Sequence, residues 1–73
     1  MKADMEKLKR FSKEKDISFA TMAESIGVHL STFYRKVESE GENFTIGEVH
    51  KMVANTPMTR TEAISIFLPE YSK

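Results

Sequence analysis

One position constrains this chain more than any other: Gly27, in the middle of the stretch SFATMAESIGVHLSTFYRKV at residues 18–37. Ahead of it, Phe19, Met22, Ala23 and Ile26 fall at i, i+3, i+4 and i+7, the spacing of one helical face. The glycine then ends the run, because a residue without Cβ takes a left-handed cap at little cost. A second apolar series starts at once, with Leu30 three residues before Phe33 and Val37 four after it. Ala23, small and four before the glycine, lets the second helix cross the first closely. The stretch therefore predicts two short helices around one sharp corner, over residues 19–26 and 30–38.

Two helices joined by a turn of a few residues form the helix-turn-helix unit. Phe33 and Val37 define the inward side of its second helix. At about 100° per residue, the opposite side carries Ser31, Thr32 and Arg35, flanked by Tyr34 and Lys36. Such a face suits a DNA major groove. Arginine pairs bidentately with guanine O6 and N7, and hydroxyls reach bases or phosphates. Tyr34 can bond a phosphate or lie on a thymine methyl. The plainer alternative is an ordinary amphipathic surface helix.

Met22-Ala23, Ile26-Gly27-Val28 and Phe33 stand where the lambda repressor/Cro-type helix-turn-helix family has its apolar pair, its turn and its recognition-helix anchor. The chain resembles that family over nearly its whole length. It is most similar to the small phage Cro-like regulators, whose recognition helix ends in a pair like Lys36-Val37. The resemblance implies a compact, all-α, five-helix lambda-repressor-like DNA-binding domain that acts as a transcriptional regulator. It implies a double-stranded operator as partner and a homodimer at least on DNA. It also implies a bacterial cytoplasm, admits a phage origin, and calls for no cofactor, metal or small-molecule ligand. In the family, the start of the second helix abuts a DNA phosphate, which here puts Ser18, Phe19 and Thr21 at the backbone. Helix N-termini suit this through free N–H groups and the helix dipole. Phe19 departs from the polar residue usual there, and packing against the first helix is its alternative. His29 stands where the family has a serine cap. Histidine caps poorly, so Ser31 or a water would substitute, leaving His29 for a base or phosphate. Leu30 is on the core side by periodicity, whereas the family places it at the groove.

Composition sets the outer limits. Seventy-three residues make one small domain, with a thin core that a partner subunit would help to stabilise. The 40% apolar and 30% charged fractions suit a globular protein. Without cysteine, disulfides and thiolate metal sites are excluded. No apolar run approaches the roughly 18 residues of a membrane span. The opening MKADMEKLKR lacks the apolar core of a secretory signal, which makes a cytoplasmic protein the expectation. Eleven basic and eleven acidic residues cancel, whereas nucleic-acid binders usually carry a basic excess. Distribution matters more than the sum. Lys2, Lys7, Lys9, Arg10, Lys13 and Lys15 crowd the start, and Arg35 and Lys36 follow. Glu38, Glu40, Glu42 and Glu48 gather beyond them, so the molecule should be dipolar.

The remaining segments complete a five-helix pattern. Residues 4–14 read as the first helix, capped by Asp4, with Met5, Leu8 and Phe11 as its buried stripe. Its lysines form a solvated face or flank phosphates. Asp16 tolerates a turn and Ile17 returns to the core. Residues 39–44, SEGENF, make a loop around Gly41. Relatives touch the DNA backbone with this loop. Glu38, Glu40 and Glu42 count against that here, and Asn43 is the best phosphate candidate of the loop; Lys36 of the recognition helix is a further phosphate candidate. Thr45 to Glu48 is a capping box that starts a helix over 46–54. Its buried face is read as Ile46, Val49 and Val53, with His50 half-buried beside them. A second capping box, Thr59 to Glu62, starts a helix over 60–67, ended by Pro69. That helix is apolar on more than one side. The excess argues for a subunit contact through Ile64, Phe67, Leu68 and Tyr71, and a crowded core without a dimer is the alternative.

An enzyme is not expected. Nothing resembles a cysteine nucleophile, a phosphate-binding glycine loop or a His/acid cluster. Two functions remain. The first is a sequence-specific DNA-binding regulator reading half-sites about 34 Å apart, with a shallow salt dependence from about 3–5 phosphate contacts per subunit. The second is a protein-interaction module on the same fold, an antirepressor or antitoxin-like subunit, favoured by the neutral charge, acidic loop and apolar last helix.

Overall fold

Capping chemistry sets the ends of the elements in this computed structural model, which describes residues 3–71. Lys2 lies outside them. The described residues form five helices and no strand: α1 (Met5–Lys15), α2 (Phe19–Ile26), α3 (Leu30–Glu38), α4 (Ile46–Asn55) and α5 (Arg60–Phe67), followed by a single 3₁₀ turn at Pro69–Tyr71. Asp4, Ser18, Thr45 and Thr59 each accept an amide of the first turn that has no partner within its helix. At Thr45 and Thr59 the third-position glutamate reaches back, so both capping boxes form. α1 ends at Asp16, left-handed at φ 55°. The amides of Asp16 and Ile17 return to the carbonyls of Lys13 and Ser12.

The core draws on every helix. Leu8 and Phe11 come from α1, Met22, Ala23 and Ile26 from α2, and Phe33 and Val37 from α3. Ile17 is buried between α1 and α2, as its place after the turn predicts. α2 packs against both α3 and α4, and α5 against α1 and α4. The side-chain amide of Asn55 donates to the Ser25 carbonyl at 3.2 Å and ties the end of α4 to α2. No polar side chain is buried among the described residues.

A row of rings crosses this core. Tyr34 meets Phe19 at 5.7 Å between centroids, Phe19 meets Phe33 at 5.1 Å, Phe33 meets Phe44 at 5.4 Å, and Phe44 meets Phe67 at 5.2 Å. All four pairs are tilted or edge-to-face, the arrangement the ring quadrupoles favour. The row runs from the outer side of α3 to α5.

Two expectations for the second half are corrected, and one core residue is added. Ile46 is 77% exposed, and the side chain that α4 buries fully is Met52. Ile46 stands six residues before Met52, about 120° round the helix, so Val49, Met52 and Val53 face inward instead. His50 is exposed rather than half-buried. Met58, in the link between α4 and α5, is a core residue that helical periodicity does not reveal.

Candidate nucleic-acid interface

The corner between α2 and α3 is closed by the backbone. Gly27 has φ 77°. The amides of Gly27 and Val28 donate to the carbonyls of Glu24 and Ala23 at 3.1 and 3.0 Å. This is the paired closure that a left-handed residue permits at a helix end. The chain then restarts at His29, whose extended backbone opens α3. His29 does cap, against expectation: its Nδ1 accepts the Ser31 amide at 3.2 Å and lies 3.0 Å from the Ser31 hydroxyl. An acceptor at Nδ1 puts the ring proton on Nε2, at the exposed edge.

Phe33 and Val37 anchor α3 from beneath, at 0% and 9% exposure. Ser31, Tyr34 and Arg35 are exposed and Thr32 is half-buried. The Arg35 guanidinium lies back along the helix, 3.5 Å from the Thr32 hydroxyl. A bond that long holds it loosely. Leu30 is half-buried and outside the core cluster. One polar and basic ridge thus collects four of the six expected base-reading residues, Ser31, Thr32, Tyr34 and Arg35, with His29 at its foot and Leu30 toward the inner side.

Ser18 and Thr21 lie together and exposed at the start of α2. The Ser18 hydroxyl accepts the Thr21 amide at 3.1 Å, and the two hydroxyl oxygens are 3.1 Å apart. Phe19 is half-buried between Phe33 and Tyr34. Its side chain therefore packs on α3 and has no polar role, and only its amide points out of the helix start. Lys36 is also corrected. Its ammonium donates to the Asn43 carbonyl at 2.9 Å, lies 3.2 Å from Glu48, and sits 5.7 Å above the Phe44 ring. Only 14% of the side chain is exposed, so Lys36 braces the loop against α4 and is not a free cation. Asn43 keeps an exposed side chain.

The loop owes its path to two consecutive left-handed residues, Glu40 at φ 60° and Gly41 at φ 76°. Gly41 is buried against Ala3 and Met5. Beyond the loop, an apolar groove of about 470 Å³ opens between α4 and α5, with Phe44, Val49, Val53, Ala63 and Phe67 in its walls. Of the residues expected at a subunit contact, Ile64 and Tyr71 are exposed at 36% and 70%, and Leu68 is half-buried. Phe67 is 6% exposed and belongs to the core, its ring packed edge-to-face on Phe44 at the floor of the groove.

Among the described residues, no helix is long and apolar enough to cross a membrane. Family models, curated proteins and solved structures were all compared with this chain, and none matches.

Proposed function

We propose that the chain is a sequence-specific double-stranded DNA-binding transcriptional regulator of the lambda repressor/Cro type. In this reading α2 and α3 are a helix-turn-helix, α3 lies in the major groove, and the start of α2 rests on the backbone. One observation carries it. The Gly27 corner leaves the ridge of Ser31, Tyr34 and Arg35 uncovered while Phe33 and Val37 fix it to the core. Arg35 is the residue best suited to read a base, as a loosely held fork that can leave Thr32 for a guanine edge. Two copies would read two half-sites, joined through Ile64, Leu68 and Tyr71 beside the α4–α5 groove, and repression would follow from occupying a promoter.

Selection from random duplexes by the purified protein, followed by Arg35→Ala on the selected site, tests this. The substitution should cost about 1–3 kcal/mol and relax preference at one base position. Unchanged specific binding, or no specifically bound duplex at all, removes the reading. The apolar groove favours the second function, a protein-interaction module such as an antirepressor or antitoxin-like subunit, which that outcome would promote.

A further inference from the structure

The cations of α1 are sorted by side. Lys7 donates to the Ser65 hydroxyl at 2.6 Å, and Lys15 lies 3.8 Å from Glu62, so both turn toward α5. Glu6, Lys9, Arg10 and Lys13 follow the i, i+3, i+4, i+7 rule and form a stripe opposite Leu8 and Phe11. That stripe, with Ser12, Phe19 and Tyr34, lines an open trough of about 570 Å³. Its one acid, Glu6, is 4.0 Å from Lys9, with side chains 82% and 55% exposed. Solvent screens a pair of that kind. Among the described residues, Arg10 and Lys13 have no carboxylate within 4 Å. The far wall is the edge-to-face pair of Phe19 and Tyr34, the latter 49% exposed. Three cations thus line the trough with one screened acid, across from the tyrosine that also borders the α3 ridge, and Arg10 also borders the hollow beside Glu14 and Glu62 on the α5 side.

We propose that this trough is a second DNA-backbone site, seating the phosphodiester strand of the same duplex whose bases α3 reads. The inference rests on the DNA reading above and extends its footprint from α3 to α1. From Lys9 to Lys13 the stripe runs about 6 Å along the helix, a row of charge rather than a point, which fits a strand better than a lone anion. Arg10 offers a planar fork for phosphate oxygens. Continuity with Tyr34 and the start of α2 makes the strand beside the reading helix the occupant. The site also bears on the zero net charge: Lys9, Arg10 and Lys13 share one trough with a single acid although the whole chain is neutral.

The test is the salt dependence of binding to the selected duplex. Each phosphate contact contributes about 0.9 to the log–log slope. The double substitution Lys9→Gln with Lys13→Gln should lower the slope by about 1.8, and Arg10→Gln by about 0.9, equally on matched and mismatched duplexes. Lys9→Arg with Lys13→Arg should keep the wild-type slope, as should Lys51→Gln, which removes an exposed charge from α4. Glutamine variants whose slopes overlay the wild type, while Arg35→Ala still relaxes specificity, overturn the trough and leave the reading helix standing. A slope that falls as far in the arginine pair as in the glutamine pair also overturns it. Failure of the wild-type protein to bind any duplex specifically removes both proposals.

Discussion

Gly27 and Gly41 share a backbone conformation and differ in surroundings, so substituting alanine at each separates strain from crowding. Gly27 has φ 77° and nothing within 4 Å of the place a Cβ would occupy. At Gly41, φ 76°, a Cβ would stand 2.6 Å from Ala3 Cβ and 2.8 Å from Met5 Cε. Either alanine meets a left-handed penalty of about 1–2 kcal/mol. Either also recovers about 0.4–1 kcal/mol by restricting the unfolded chain. These two effects cancel between the variants and leave the contact. The Met5 methyl is the end of a flexible chain and can swing aside. Ala3 Cβ is one bond from a backbone whose amide is held by the Glu40 carbonyl at 3.2 Å. Relieving such a clash costs about 1–3 kcal/mol. Gly27→Ala should therefore cost about 1 kcal/mol and Gly41→Ala about 2–4. A chain of this length holds about 4–11 kcal/mol in all, so the second variant loses a large share. Urea titration followed by far-UV circular dichroism, with m unchanged, reads the difference. Equal midpoint losses would refute the packing of the 39–44 loop on residues 3–5.

Two further outcomes separate the core from the surface. Phe67→Ala should cost about 3–5 kcal/mol of stability, whereas Ile64→Lys should stay within about 0.5 and weaken self-association; sedimentation equilibrium and thermal melts distinguish them, and the reverse pattern would place Phe67 at an interface. Lys36→Met keeps the stem over Phe44 but drops the bonds to Asn43 and Glu48. It should cost about 1.5–3 kcal/mol in urea titration without changing the salt slope of DNA binding, and a slope lower by about 0.9 would return Lys36 to the backbone.

Local chemistry wrote most of this fold. Three of the five helices, over 19–26, 30–38 and 60–67, have the bounds their patterns predict, and the other two differ by a residue. Caps made by Asp4, Thr45 and Thr59 depend on residues within one turn, and each is legible. Met52, Met58 and Ile46 were not. Short α4 carries apolar residues on several sides, and only the position of α2 and α5 selects which of them is covered. The ridge on α3 was legible for the same reason as the helices, since Phe33 and Val37 fix its inner side. Lys36 was misread because Glu48, twelve residues away, reaches it only after the loop has closed. The α1 stripe could be seen as a charged face, but its neighbour Tyr34 comes from α3, and no spacing in the chain brings them together.

The aromatic row has a mechanical consequence. Its outermost member, Tyr34, stands beside the exposed ridge of α3, and its innermost, Phe67, backs the apolar groove between α4 and α5. Edge contacts between rings leave little slack, so a displacement of α5 is passed along a stiff column to the root of α3. In so small a body, whatever fills the α4–α5 groove and the pitch of α3 cannot drift independently.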